Sequence, residues 1–296
     1  MPAACSFMQI RRLHDGDREE LERFLSGYAE TSMYLRSNAR KVGLEYRGED
    51  FQGEYFAAFD AAGNMAGVLA HNHSGRVLMQ AVDKATLTAL VAAFREAATR
   101  PIAGFLGPDE QVEATVAGLG LSNHDYAMNK NERLYALELA ALVVPPQFDS
   151  TEMVEASQID RAILAEWIRD NELETQGAQE GEELDAEVEW QVQQIIAGDY
   201  WALVVEGQPV ALSGFTAHLP DIVQIGSVWT PPQYRNRGYA RALVALTLQK
   251  AREQGVKKAI LFTDNPAAVK AYTAIGFTQV GSYRIALLKR PVDSHK

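Results

Sequence analysis

Residues 222–255 read IVQIGSVWTPPQYRNRGYARALVALTLQKAREQG, and the organisation of the chain follows from how this stretch divides. Residues 222–230 are β-branched or aromatic in character with no helical period, and they run into Pro231-Pro232, which cannot continue a hydrogen-bonded ladder. The pattern predicts a strand that stops. Downstream, Ala240, Leu243, Val244, Thr247, Leu248 and Ala251 fall at i, i+3, i+4, i+7, i+8 and i+11, the stripe of a helix packed on a sheet, and Gly255 supplies its stop. A strand that feeds a glycine-containing turn into a helix leaves backbone N–H groups aimed outward, with the positive end of the helix dipole behind them. That is an anion site. Gly238 lets the backbone approach a ligand without a Cβ, and Ala240 keeps the first turn narrow. Arg235, Arg237 and Arg241 put three guanidinium groups around this terminus, which suits a multiply charged phosphate ligand.

Working outward, residues 259–263 form a short apolar strand. Asp264-Asn265-Pro266 then reads as a helix start with Asn265 as N-cap and Pro266 in the first turn. The helix ends at Gly276-Phe277, and within it Val269, Tyr272 and Ile275 share a face. The same order of elements is legible earlier in the chain. A short apolar entry and an acidic helix open each half, at residues 8–25 and 153–168. Hairpins follow, at residues 55–71 with a turn at 60–64, and at residues 200–216 with a turn at Gly207-Gln208. Setting Gly120-Leu121 against Gly276-Phe277 aligns the ends of the halves, so an internal duplication is the simplest explanation. The boundary is expected at Pro145-Pro146, after a strand-like run at residues 134–144 and before a polar linker at 147–150, giving domains 1–146 and 147–296.

The 296 residues suit two compact domains, and 47% hydrophobic with 23% charged residues is an ordinary globular composition. A formal net charge of −11 argues against nucleic-acid and anionic-membrane binding, both of which need a cationic face, and favours a cationic partner. Cys5 is the only cysteine, so the chain holds no disulfide framework or thiolate metal cluster. No segment has the roughly 20 apolar residues of a membrane span, and the expectation is a cytoplasmic protein. His71-x-His73 has the alternation of two strand-borne metal ligands but no third ligand at a known spacing, so turn-proximal surface histidines are the expectation and no metal is assigned. Walker, nucleophile-elbow and zincin patterns are absent.

The loop and the helix beyond it together resemble the Gcn5-related N-acetyltransferase (GNAT) superfamily. Its Arg/Gln-x-x-Gly-x-Gly/Ala loop is matched by Arg235, Gly238 and Ala240, and its Asn…Tyr…Gly-Phe segment by Asn265, Tyr272, Gly276 and Phe277. The resemblance covers residues 152–288, and Val228-Trp229-Thr230-Pro231-Pro232 is similar to a bacterial two-domain subgroup. It implies an α/β fold of tandem GNAT-like domains, each a mixed, mostly antiparallel sheet flanked by helices. Two parallel strands would splay into a V in the C-terminal sheet. It also implies acetyl-CoA as co-substrate. Amides from Arg235 through Asn236, Arg237, Gly238 and Tyr239 to Ala240 would hold the pyrophosphate, with Asn265 nearby. The pantetheine arm would run beside Val228, Trp229 and Thr230.

Transfer to an amine requires the free base, and a lysine-like amine with pKa near 10.4 costs about 4 kcal/mol to deprotonate at pH 7. The departing thiolate needs a proton, for which the resemblance points to Tyr272; a tyrosine on a helix face also serves plain core packing. The 222–230 run carries no acid, unlike many members of the family, so the base must come from elsewhere. Within the acidic segment 171–175, Glu174 is the candidate to orient the acceptor or take its proton through water, and Glu172 is second; a solvated acidic face is the other reading of both. Trp167, Trp190 and Trp229 are expected in the core, with a cleft-lining role as the alternative. The acceptor's identity and the oligomeric state are not encoded in any motif. A non-catalytic acetyl-CoA-binding module is the alternative to an enzyme.

In the first half the corresponding helix entry, residues 81–86, has no glycine and carries Asp83, which would occupy or repel an anion there. Val116 falls at the place of Tyr272 and Asp109 at that of Asn265. The first half is therefore expected to be a degenerate domain that does not bind acetyl-CoA.

Overall fold

The computed structural model describes residues 8–146 and 151–293, so Cys5 and the expected linker 147–150 lie outside the described residues. The chain forms two compact units, Met1–Leu134 together with Val280–Lys296, and Tyr135–Gln279. In chain order the elements are β1 (Gln9–Arg12), α1 (Arg18–Ser26), α2 (Met33–Val42), β2 (Gly53–Phe59), β3 (Met65–Asn72), β4 (Arg76–Ala81), α3 (Lys84–Ala97), β5 (Ile102–Pro108), α4 (Asp109–Gly118) and β6 (Tyr126–Glu138). There follow β7 (Thr151–Glu155), α5 (Arg161–Asn171), α6 (Glu182–Ala197), β8 (Tyr200–Val205), β9 (Gln208–His218), β10 (Ile222–Trp229), α7 (Tyr239–Glu253), β11 (Lys258–Phe262), α8 (Pro266–Thr273) and β12 (Thr278–Val292).

Both expected hairpins form, each for a local reason. Asp60 accepts hydrogen bonds from the amides of Ala62 and Asn64, each at 2.9 Å, which closes the β2–β3 turn. The second turn lies one residue earlier than the expected Gly207-Gln208: Glu206 and Gly207 hold φ of +50° and +78°, the left-handed pair that a two-residue hairpin between β8 and β9 demands, and Gln208 already belongs to β9.

The first unit's sheet runs β1-β2-β3-β4-β5-β12, antiparallel throughout except for the parallel β4/β5 pair. The last strand pairs with β5 from Tyr283 opposite Pro108 to Leu287 opposite Gly104, which is why residues 280–296 count with this unit. Leu87, Leu90, Val91 and Phe94 of α3 pack on Leu69, Val77, Met79 and Phe105 of the sheet. At the start of α3, Asp83 accepts the Thr86 amide at 2.8 Å, and that backbone bond holds its carboxyl below the ordinary range. The acid expected at this helix entry is therefore its cap. Beside it, Gln111 of α4 donates to the Ala81 carbonyl at 3.0 Å and accepts from the Ala81 amide at 2.9 Å, so a side-chain amide satisfies both backbone groups at the end of β4. Asp109 does not cap α4 as Asn265 was expected to cap its own helix. It is a first-turn residue paired at 2.5 Å with Arg284.

The surface reading of the two histidines is half wrong. His71 is fully buried, because β3 lies inside the sheet and both its faces are covered. Its Nε2 lies 3.2 Å from the Pro101 carbonyl and its ring meets Phe94 edge-on. His73 sits beyond the strand end, 3.1 Å from Asp50. Among the described residues no three His, Cys, Asp or Glu side chains converge as a metal site.

Burial, and next the Arg100 charge, push the His71 pKa down to about 4 from 6.5. A histidine buried neutral takes up its proton more readily in the unfolded chain. Its contribution is therefore complete above about pH 6.5 and is lost as pH falls towards 4, by up to ~3 kcal/mol. Urea denaturation between pH 7 and pH 4 should report that loss, and His71→Gln should flatten the slope.

The second unit's sheet runs β6-β11-β10-β9-β8-β7, with residues 135–138 of β6 on this side of the division. From β10 through β9 and β8 to β7 the pairing is antiparallel, whereas β10 and β11 run parallel. The strand expected over 134–144 ends early. β6 stops at Glu138, and a 3-10 turn at Leu139–Ala141 follows, pinned by the fully buried Leu139 and by its amide bond to the Lys257 carbonyl at 2.7 Å. The α7 stripe is as read: Leu243, Val244, Leu248 and Ala251 pack on Val210, Phe215, Val223 and Ile225. Gly276 holds φ of +112°, and a Cβ there would lie 2.9 Å from Leu137 Cδ1, so only glycine ends α8 in this way.

A second cluster joins Leu164, Trp167 and Ile168 of α5 to Leu184, Val188, Val192 and Ile195 of α6. Trp167 is in that core as expected. Trp190 is exposed, because it lies off the i, i+4 stripe by which α6 packs.

Candidate functional site

The site is built where β10 and β11 part. Their ladder spans Ile222–Lys258, Val223–Ala259 and Gln224–Ile260, after which β10 continues to Trp229. The cause is local. Gly226 packs so closely on Thr216 that a Cβ would come within 2.3 Å of Cγ2, and Ser227 takes φ of +49°, uncommon for a residue with a side chain. The register against β9 shifts on both sides of this point. A bulge bends a strand and re-aims it. The V implied by the resemblance is therefore present, and Gly226-Ser227 inside a strand was its legible signal.

β10 delivers the chain into a 3-10 turn at Pro232–Tyr234 and then into the loop. Asn236 and Gly238 hold φ of +63° and +81°, and α7 opens with no side-chain cap on Gly238. The first bond of the helix runs from the Ala242 amide to the Gly238 carbonyl at 3.0 Å, so the amides just ahead of it lie outside the helical ladder. The Arg235 amide is different, since it donates to the Pro232 carbonyl at 3.3 Å. Asn236 and Arg237 are exposed, while Gly238, Tyr239 and Ala240 are half-buried. Arg241 has a buried Nε without a hydrogen-bond partner.

Arg235 does not extend freely from the loop. Its Nε donates to the Thr230 carbonyl at 2.9 Å, and its two terminal nitrogens donate to the two oxygens of Glu174 at 2.9 and 2.8 Å. The guanidinium also lies 4.9 Å over the Trp229 ring. Glu174 reaches it from a π-helical turn, Glu172–Gln176, that continues α5. Turns of this kind are rare and often functional. Gly177, with φ of +71°, ends it. Glu172 is held apart, accepting from Gln191 at 2.8 Å.

A cavity of about 350 Å³ opens here, lined by Asp170, Leu173, Glu174, Trp229 and Pro232. It brings Glu174 and Trp229 together. Asp170, Leu173 and Pro232 were not singled out from sequence, although the spacing of four between Asp170 and Glu174 marks one helical face. Trp229 is buried, and its Nε1 has no hydrogen-bond partner, as is also true of the Thr230 hydroxyl. Val228 is half-buried against the main core.

Asn265 caps α8 as read, accepting from the amides of Ala267 at 2.9 Å and Ala268 at 3.4 Å. Tyr272 is 7% exposed, edge-on to Phe277, and is not among the residues lining the cavity. Among the described residues its hydroxyl makes no hydrogen bond, and burial raises the phenol pKa above its ordinary value. The group stays protonated near neutrality.

Residues 162–277 match the family model described as Acetyltransferase (GNAT) family. N-acetyltransferase family 8 member 2 of Rattus norvegicus is 33% identical over 103 residues, 31% of this chain and 44% of that protein. The chain spans half or less of the length of the curated relatives it matches. Among solved structures, a GCN5-related N-acetyltransferase from Sphaerobacter thermophilus aligns over 98% of both chains with a TM-score of 0.56 at 14% identity. A tandem GNAT protein from the clavulanic acid biosynthesis pathway aligns over 97% of this chain and 100% of that one with a TM-score of 0.50 at 13% identity. These identities carry the fold alone, and the fold is the tandem, mostly antiparallel α/β arrangement expected from sequence. Residues 162–277, which hold the parted strands and the loop between them, therefore match the acetyltransferase (GNAT) family.

Proposed function

We propose that the chain is an acetyl-CoA-dependent N-acetyltransferase whose catalytic unit is the second one, Tyr135–Gln279, where the sequence suggested residues 147–296. The observation that carries this reading is the uncapped start of α7 behind Gly238, set at the mouth of the β10/β11 splay. Glycine in the left-handed region, outward amides and the dipole of a helix of 15 residues form a cradle that fits a pyrophosphate. Amides from Asn236 to Ala240 would hold that group, with the Arg237 guanidinium free to join, and the edge of β10 at Val228, Trp229 and Thr230 would pair with the pantetheine arm. When bound, acetyl-CoA supplies an activated acetyl thioester to an attacking amine.

The chain's own residues then have distinct tasks. Tyr272 holds a phenol proton and serves as donor to the departing sulfur. Glu174 orients the acceptor side. Both its oxygens are already taken by Arg235, so deprotonation of the amine passes through water rather than directly to it. The acceptor is an amine, and a cationic one suits a chain of net charge −11. The first half, residues 1–146, is read as a degenerate domain that leaves acetyl-CoA unbound, since Asp83 caps the helix start and Gln111 fills the backbone positions beside β4. A cytoplasmic setting fits the reading; among the described residues no helix is long and apolar enough to cross a membrane.

Calorimetric titration of the full chain with acetyl-CoA should give one site per chain. Two equivalent sites would refute the degenerate first half, and no binding would refute the whole reading. A mass-spectrometric screen of pooled amines with labelled acetyl-CoA should then yield an acetylated product. Binding without any product would favour a sensor or scaffold module.

A further inference from the structure

Arg235 is a cation that the fold has already bound. Two charge-assisted bonds to Glu174, at 2.9 and 2.8 Å, a third to the Thr230 carbonyl at 2.9 Å and the Trp229 ring at 4.9 Å form a recognition set for a compact or planar cation. The acid and the indole also line the cavity of about 350 Å³, and Asp170 adds a second carboxylate on the same helical face. Among the described residues Asp170 makes no ion pair or hydrogen bond. Leu173 and Pro232 supply apolar walls, and the volume falls in the range of small-ligand pockets.

We infer that this cavity is a subsite for a cationic group of the acceptor, an ammonium or guanidinium, and that Arg235 is its internal occupant until an anion on the Gly238 loop draws the guanidinium away. The inference rests on the reading of that loop as a pyrophosphate site. Arg235 stands three residues before Gly238, and a doubly charged phosphate ligand competes directly with a half-exposed carboxylate for its forked donors. Once Arg235 turns to the loop, Glu174 keeps its charge beside the Trp229 face with no cation against it. The place is then filled by the positive group of the second substrate. Binding of the two ligands is consequently coupled, each favouring the other by the same factor.

Calorimetry on the full chain tests this with coenzyme A and 1,4-diaminobutane as probes. The diamine should bind the coenzyme-saturated protein at least about fivefold more tightly than the coenzyme-free protein. Glu174→Gln should abolish that gain. The same substitution should tighten coenzyme A by about two- to fivefold, the range a half-exposed ion pair can hold back, and should have no effect on it in an Arg235→Ala background. Glu180→Gln, which removes a carboxylate paired with Arg169 rather than Arg235, serves as the folded control and should match the native chain. Equal diamine affinity with and without coenzyme A overturns the inference while leaving the acetyltransferase reading intact, as does a Glu174→Gln effect that persists without Arg235. Failure of the native chain to bind coenzyme A overturns both.

Discussion

Tyr272→Phe is expected to lower kcat by about 10²- to 10⁴-fold, the usual worth of a positioned general acid, while leaving acetyl-CoA affinity unchanged. The substitution removes one oxygen from a side chain whose ring packs edge-on against Phe277 and whose hydroxyl has no hydrogen bond among the described residues. Packing and fold are therefore retained, and any change in rate reports the proton. Because burial raises the phenol pKa, the native chain should show no alkaline fall in kcat from this group below about pH 10. Steady-state kinetics across pH, beside calorimetry, provide both readouts. An unchanged kcat would remove Tyr272 from the chemistry, and a parallel loss of affinity would make it a packing residue.

The second large effect is expected at Gly238. Its φ of +81° places it where a β-branched residue is strained by about 1–3 kcal/mol, and the strain falls on the loop proposed to hold the pyrophosphate. Gly238→Val should weaken acetyl-CoA binding by about 10- to 100-fold, that strain expressed as an equilibrium constant. Gly238→Asn should recover much of the loss, because asparagine tolerates the left-handed region. Titration calorimetry measures both, and thermal melting verifies that the variants remain folded. Native-like affinity in the valine variant would mean that the amides before α7 are not where the anion sits.

Much of the second unit was legible because its signals are local. A strand broken by Pro231-Pro232, a glycine before an amphipathic stripe and an asparagine before Pro266 each act within a few residues. Each appears in the structure as the end of β10, the uncapped α7 and the capped α8. What escaped the sequence depends on distant partners. Glu174 stood out in the sequence as an acid, but its two bonds to Arg235 span 61 positions, and no spacing rule reaches so far. His71 was read as a surface residue because alternation near a turn resembles an edge, whereas β3 lies within the sheet and both its faces are buried. The strand expected over 134–144 was overcalled because the apolar run continues past Glu138, and it is the burial of Leu139 that turns it into a 3-10 helix.

The strand pairing also decides how this protein can be dissected. Tyr135 to Pro146 belong with the second unit, and the segment from Val280 onwards belongs with the first, each on the far side of the prolines that look like a natural seam. Severing the polypeptide at that seam therefore yields two fragments that each carry a piece of the other's architecture. Neither piece made separately would fold into a faithful copy of what it is in the intact molecule, and affinities measured on such truncations would report damaged edges rather than the competence of either half. Co-expressed fragments that reassociate, or point changes in the whole polypeptide, are the sound way to ask what each half contributes.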